Sequence, residues 1–136
     1  MKLVSHWVAG KEFSGNGQRR GEVFDPAKGT QTKEVVFADA GDIEAAVAAA
    51  SSAFPAWRDT SLAKRSAIMF RFRELLDAKK AELAEIITEE HGKVVSDALG
   101  EINRGLEVVD FACGLPHLLK GEYSENASTS IDVYSM

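Results

Sequence analysis

The sequence predicts an α/β protein in three stretches: an N-terminal β-hairpin and short strands, then about four helices, then a terminal strand. Three observations carry this. Short β-prone runs punctuated by glycine and proline fill residues 3–37. From Asp39 to Lys120 apolar residues recur at helical spacing. Thr129 to Met136 then alternates apolar with polar, the period of a strand with one covered face. At 136 residues the chain has about the length of one average domain.

Apolar residues make up 45% of the chain and charged residues 27%. That balance supports a core and excludes disorder along the whole length, which needs low hydrophobicity and high net charge. Sixteen Lys and Arg face 21 Asp and Glu, a net charge of −5. A nucleic-acid partner requires a concentrated basic surface, so none is expected. The single cysteine, Cys113, leaves no internal disulfide framework and fits a reducing compartment. No apolar run reaches the roughly 18 residues that suggest a membrane span. Met1 to Trp7 has no apolar stretch of signal-peptide length. The expectation is a cytoplasmic protein without a membrane segment.

Each element has a local reason. Leu3 to Val8, Ala9-Gly10 and Lys11 to Phe13 read as a hairpin, because glycine tolerates the positive φ of a tight turn. Ser14 to Gln18 is a loop by composition. Glu22 to Phe24 and Glu34 to Phe37 are strand candidates. Between them, Asp25 caps its own turn, Pro26 presets φ and Gly29 closes it. Asp39 can cap the first helix, and Asp42 in its first turn suits the dipole. Ile43, Ala46, Val47, Ala50 and Phe54 form that helix's apolar stripe, and Pro55 ends or kinks it. Thr60 or Ser61 caps a second helix, with Leu62, Ile68, Phe72, Leu75 and Leu76 on one face. Leu83, Ile86 and Ile87 mark a third helix, stopped by Gly92. A fourth starts near Ser96 and buries Leu99, Ile102, Leu106, Val109 and Cys113, with a further turn through Leu119. Gly121 to Asn126 reads as a polar connection. The terminal strand, with Ile131 and Val133 on one face, has no later strand in the chain to pair with. Such an open edge usually finds a partner.

Few motifs point to chemistry. Gly15-Asn16-Gly17-Gln18-Arg19-Arg20-Gly21 has neither the spacing nor the strand-to-helix position of a dinucleotide fingerprint, and reads as an ordinary loop. Cys113 lies on an apolar helix stripe, so a buried structural thiol is expected, without the electropositive setting of a reactive thiolate. His6, His91 and His117 are far apart and resemble no metal-ligand cluster. His91 precedes Gly92 near a helix end, where a cation favours the dipole. No catalytic residue and no metal ligand is assigned. Arg104 is the informative residue. The helical wheel places it on the flank of the apolar stripe, and a partly buried guanidinium there needs a carboxylate. Glu101 or Glu107, each three residues away, can supply it within the helix.

Taken in order, Trp7-Val8-Ala9-Gly10-Lys11, Asp25-Pro26-Ala27-Lys28-Gly29, Asp42 to Val47, Ala53 to Trp57, Arg65 and Glu89-Glu90-His91-Gly92-Lys93 form one set. That ordered set resembles the N-terminal segment of the aldehyde dehydrogenase superfamily. The resemblance covers essentially the whole chain; its specificity lies in the order and spacing. Ala53 to Trp57 with Asp59-Thr60-Ser61, Arg104 to Cys113, and Ile131 to Ser135 look like the methylmalonate-semialdehyde dehydrogenase branch.

The resemblance implies a partial NAD-binding domain over 1–128, with strands in 3–37 and helices in 39–120. It implies that 129–136 begins an oligomerisation arm, and hence a homo-oligomer. The catalytic domain is absent from the chain on this reading. Enzymes of that branch oxidise malonate or methylmalonate semialdehyde with NAD and pass the acyl group to coenzyme A, with loss of carbon dioxide. They work through a cysteine thiohemiacetal and thioester. The family's nucleophilic cysteine and cofactor-binding residues have no counterpart at these positions. Cys113 is therefore not the nucleophile, and the chain alone is expected to be inactive. Arg104 is the one site residue the resemblance carries over, as the holder of the substrate's carboxylate. A different expectation also stands: a free-standing, non-enzymatic helical module that self-associates through its apolar faces and terminal strand.

Overall fold

The computed structural model describes residues 2–136. In chain order the strands and helices are β1 (Lys2–Val4), β2 (His6–Val8), β3 (Lys11–Phe13), β4 (Arg20–Asp25), β5 (Thr30–Val36), α1 (Ala40–Arg58), α2 (Leu62–Ala78), α3 (Lys80–His91), α4 (Val95–Cys113), α5 (Leu115–Leu118), β6 (Glu122–Ser128) and β7 (Ile131–Ser135). They fall into two units. The first is the chain up to Thr60 with Ala81–Gly100; the second is Ser61–Lys80 with Glu101–Met136.

In the first unit, β5 is the middle strand of a three-stranded sheet, parallel to β1 and antiparallel to β4. It buries Lys33 and Val36. The β2–β3 hairpin pairs Val8 with Lys11 across Ala9-Gly10. Both turn residues have positive φ, 53° and 75°, the primed geometry whose twist matches the flanking strands. The Asp25 turn forms as its residues predict: Asp25 Oδ1 accepts from the Ala27 and Lys28 amides, and its carbonyl accepts from Gly29. α1 opens on a capping box in which Asp39 and Asp42 each accept the other's amide. Pro55 does not end α1. It removes one intrahelical bond, and the helix runs on to Arg58. The apolar stripe of α1 forms, but Ile43, Val47 and Phe54 are exposed. α3 buries Ala84 and stops at Gly92, whose φ of 84° only glycine adopts freely.

In the second unit, Ser61 caps α2 by accepting the Lys64 amide, and α2 buries no residue. Ser66 Oγ donates to the Cys113 carbonyl at 2.9 Å, and Arg73 Nε to Asp110 Oδ1 at 2.9 Å. Ile102, Leu106 and Cys113 are buried along α4. The tail departs from expectation. β6, read from sequence as a polar connection, pairs antiparallel with β7, so the terminal strand has a partner inside the chain. Ser130 sits in the turn at φ 60° and Asn126 at φ 51° in the register shift of β6, left-handed positions reached without glycine. Tyr123 stacks on Tyr134 with ring centroids 4.8 Å apart and donates its hydroxyl to Asp132. Every residue of this hairpin is exposed. Among the described residues no helix is long and apolar enough to cross a membrane.

Candidate functional site

α4 presents two faces. Ile102, Leu106 and Cys113 are buried and Val109 is half-buried. Arg104 lies two residues from both Ile102 and Leu106, about 200° around the axis from each. It therefore projects opposite the buried stripe and is exposed, rather than on the stripe's flank. Val108 and Phe111 follow on the same exposed face at helical spacing. Among the described residues the Arg104 guanidinium has no ion-pair partner, so the intrahelical pair is not made. Next to it is Gly105, whose backbone is helical and needs no positive φ. A Cβ built there meets nothing within 4 Å. A mid-helix glycine costs about 1 kcal/mol relative to alanine, and nothing inside this chain explains it. The face thus combines a free guanidinium, suited to grip a carboxylate with two parallel bonds, and apolar side chains for a carbon chain.

A second polar centre binds the chain to itself. Asp42 Oδ1 accepts the Asn16 amide at 2.8 Å, and Oδ2 accepts the amides of Gly17 and Asp39 at 3.1 Å each. The Asp39 amide bond holds this carboxyl below the usual carboxylate range. The Asn16 and Gly17 amides and nearby His6 add to that, against the opposing effect of burial. The Gly15–Gly21 segment is therefore fastened to the start of α1, not loose. A Cβ at Gly17 would collide with the Phe37 carbonyl. Sequence reading gave Asp42 a dipole role in the first turn of α1 but missed this one, whose partners lie 25 and 26 residues away. Two carboxylates already occupy the N-terminus of α1, so it offers no cradle for a pyrophosphate.

Lys33 reaches Glu90 at 2.7 Å and Glu89 at 3.2 Å, and Glu90 above all holds its ammonium above the ordinary value. Cys113 is buried as expected, with its backbone carbonyl engaged by Ser66. Among the described residues no group of three or more His, Cys, Asp or Glu could hold a metal ion.

The model of the aldehyde dehydrogenase family matches residues 13–135. A malonate-semialdehyde dehydrogenase of Pseudomonas aeruginosa is 43% identical over 135 residues, 99% of this chain and 27% of that protein. A mitochondrial, acylating methylmalonate-semialdehyde dehydrogenase of Arabidopsis thaliana is 42% identical over 115 residues, 85% of this chain and 19% of that protein. Among solved structures, an NAD complex from Sinorhizobium meliloti, assigned as a methylmalonate-semialdehyde dehydrogenase, superposes with a TM-score of 0.92 at 40% identity. It is covered over 98% of this chain and 27% of its own. The chain thus spans about a quarter of the length of the relatives it matches.

Proposed function

Because the chain belongs to the aldehyde dehydrogenase family, we propose that it is the N-terminal portion of an NAD-dependent, coenzyme A-acylating methylmalonate- or malonate-semialdehyde dehydrogenase. The observation that carries this is one of extent: identity above 40% runs along nearly the whole chain but over only 27% of the relative. On this reading residues 1–128 are part of the NAD-binding domain. Residues 129–136 begin the arm through which subunits pair, supported by a hairpin exposed at every residue.

Arg104 holds the substrate's carboxylate. The support is chemical: its guanidinium is exposed, unpaired and beside apolar side chains, and both named substrates carry a carboxylate at the end opposite the aldehyde. NAD and coenzyme A are ligands of the complete enzyme. The residues here do not fit a dinucleotide, because the loop amides and the α1 N-terminus are taken by Asp42 and Asp39. No step of the reaction is assigned to them. The buried Cys113 is not a nucleophile, and the chain by itself is inactive.

In the complete enzyme, Arg104→Leu should raise KM for malonate and methylmalonate semialdehyde by about 10- to 100-fold, the worth of a charge-assisted pair. KM for propanal, which has no carboxylate, should move less than about threefold by the same reasoning. Equal losses on both would remove Arg104 from this role. Reduction of NAD by the isolated chain with malonate semialdehyde would overturn its inactivity.

The exposed stripe of α1 favours a second reading, a self-associating module without enzymatic activity. Sedimentation separates the two: a monomeric isolated chain across a wide concentration range argues against the module.

A further inference from the structure

We propose that Gly105 and Val108 set the preference between the methylated and unmethylated semialdehyde, by leaving a notch beside the substrate's middle carbon. This rests on the carboxylate role of Arg104. In malonate semialdehyde a single carbon separates carboxylate from aldehyde; in methylmalonate semialdehyde that carbon bears a methyl. A guanidinium that grips the carboxylate therefore fixes the branching carbon one bond from the grip. Whatever borders Arg104 then meets, or fails to meet, the methyl.

Helical register names those neighbours. Val108 lies four residues on, one turn along the same face, and is 69% exposed. Helical side chains lean toward the N-terminus, so the Val108 methyls cover the turn that carries Arg104 and Gly105. Gly105 is the adjacent position on that turn. It has no conformational need to be glycine, and the space its side chain would fill is open. The fold therefore gains nothing from glycine there, while a ligand gripped by Arg104 gains room of about the size of a methyl group.

The test is the ratio of kcat/KM for methylmalonate over malonate semialdehyde in the complete enzyme. Gly105→Ala should lower the ratio about tenfold or more, the discrimination one methyl supports in a shaped pocket. Val108→Ala should raise the ratio. Gly105→Ala should also leave the melting temperature of the complete enzyme unchanged or higher, since alanine suits a helix better. That separates a lost notch from a lost fold. If neither variant moves the ratio beyond twofold while Arg104→Leu still costs only the carboxylated substrates, the notch is refuted and the Arg104 role stands. If Arg104→Leu costs carboxylated and plain aldehydes alike, the underlying role is refuted.

Discussion

Asp42 is nearly inaccessible yet ionised, with backbone amides on both of its oxygens. Its folded-state pKa lies below the ordinary 3.8, so protons bind the unfolded chain more readily. The stabilisation is complete above that value and is lost as pH falls through the lower folded one. Asp25 and Asp77 add to the same acid limb, drawn down by Lys28 and Lys80 respectively. Asp42→Asn should therefore lower the melting temperature near neutrality and flatten its fall between about pH 5 and about pH 2. An acid limb as steep as in the unaltered chain would show that the knot does not set it. Lys33 acts at the other extreme. Its raised pKa stabilises the fold below the ordinary 10.5, and the gain is lost as pH rises through the higher folded value. Sequence alone gave Asp39 as a cap because capping is local. It could not give Asp42 its loop partners, because a contact across 25 residues leaves no local trace. Arg104 was legible as a residue to watch, and its two-residue spacing from Ile102 and Leu106 sets it opposite the stripe, which the flank placement overlooked.

At the scale of elements, local punctuation decided what could be read. Ala9-Gly10 and Asp25 to Gly29 announced their turns, and Gly92 announced the end of α3, because glycine marks positive φ. Gly92→Ala should cost about 1–2 kcal/mol in urea unfolding of the isolated chain, the penalty of a left-handed non-glycine residue. The clash adds to it, since the new Cβ would stand 2.8 Å from Pro26 Cγ. No loss would mean that the helix end relaxes there. The tail hairpin was not legible. Its turn passes through Ser130 and its bulge through Asn126, both without glycine or proline, and the polar run Glu122 to Asn126 hides a strand that buries nothing. α1 shows a related limit: periodicity located its apolar stripe but said nothing about what covers it.

Across the whole molecule the buried set is small. Val36, Ala84, Ala98, Ile102, Leu106 and Cys113 make up the apolar core, while Phe54, Trp57, Phe70, Phe72 and Phe111 are exposed. Exposed apolar surface on this scale marks interaction faces, in keeping with a chain that spans about a quarter of its relatives. The isolated chain should bind an apolar fluorescent dye strongly, and the complete enzyme weakly per mole. Equal binding would mean that these faces stay open in the enzyme. Composition foresaw enough apolar residues for a core; it could not foresee that most of them would lie outside one.

The chain passes from the first unit to the second, back, and across again. That path sets a timetable for synthesis. The Ser66 partner in the second unit is made 47 residues later, and the Arg73 partner 37 residues later. At about 5–20 residues per second, α2 waits roughly 2–10 s for them. Throughout that wait the Ser66 hydroxyl and the Arg73 guanidinium lack those partners, so α2 is held by its own backbone bonds until the end of α4 is made.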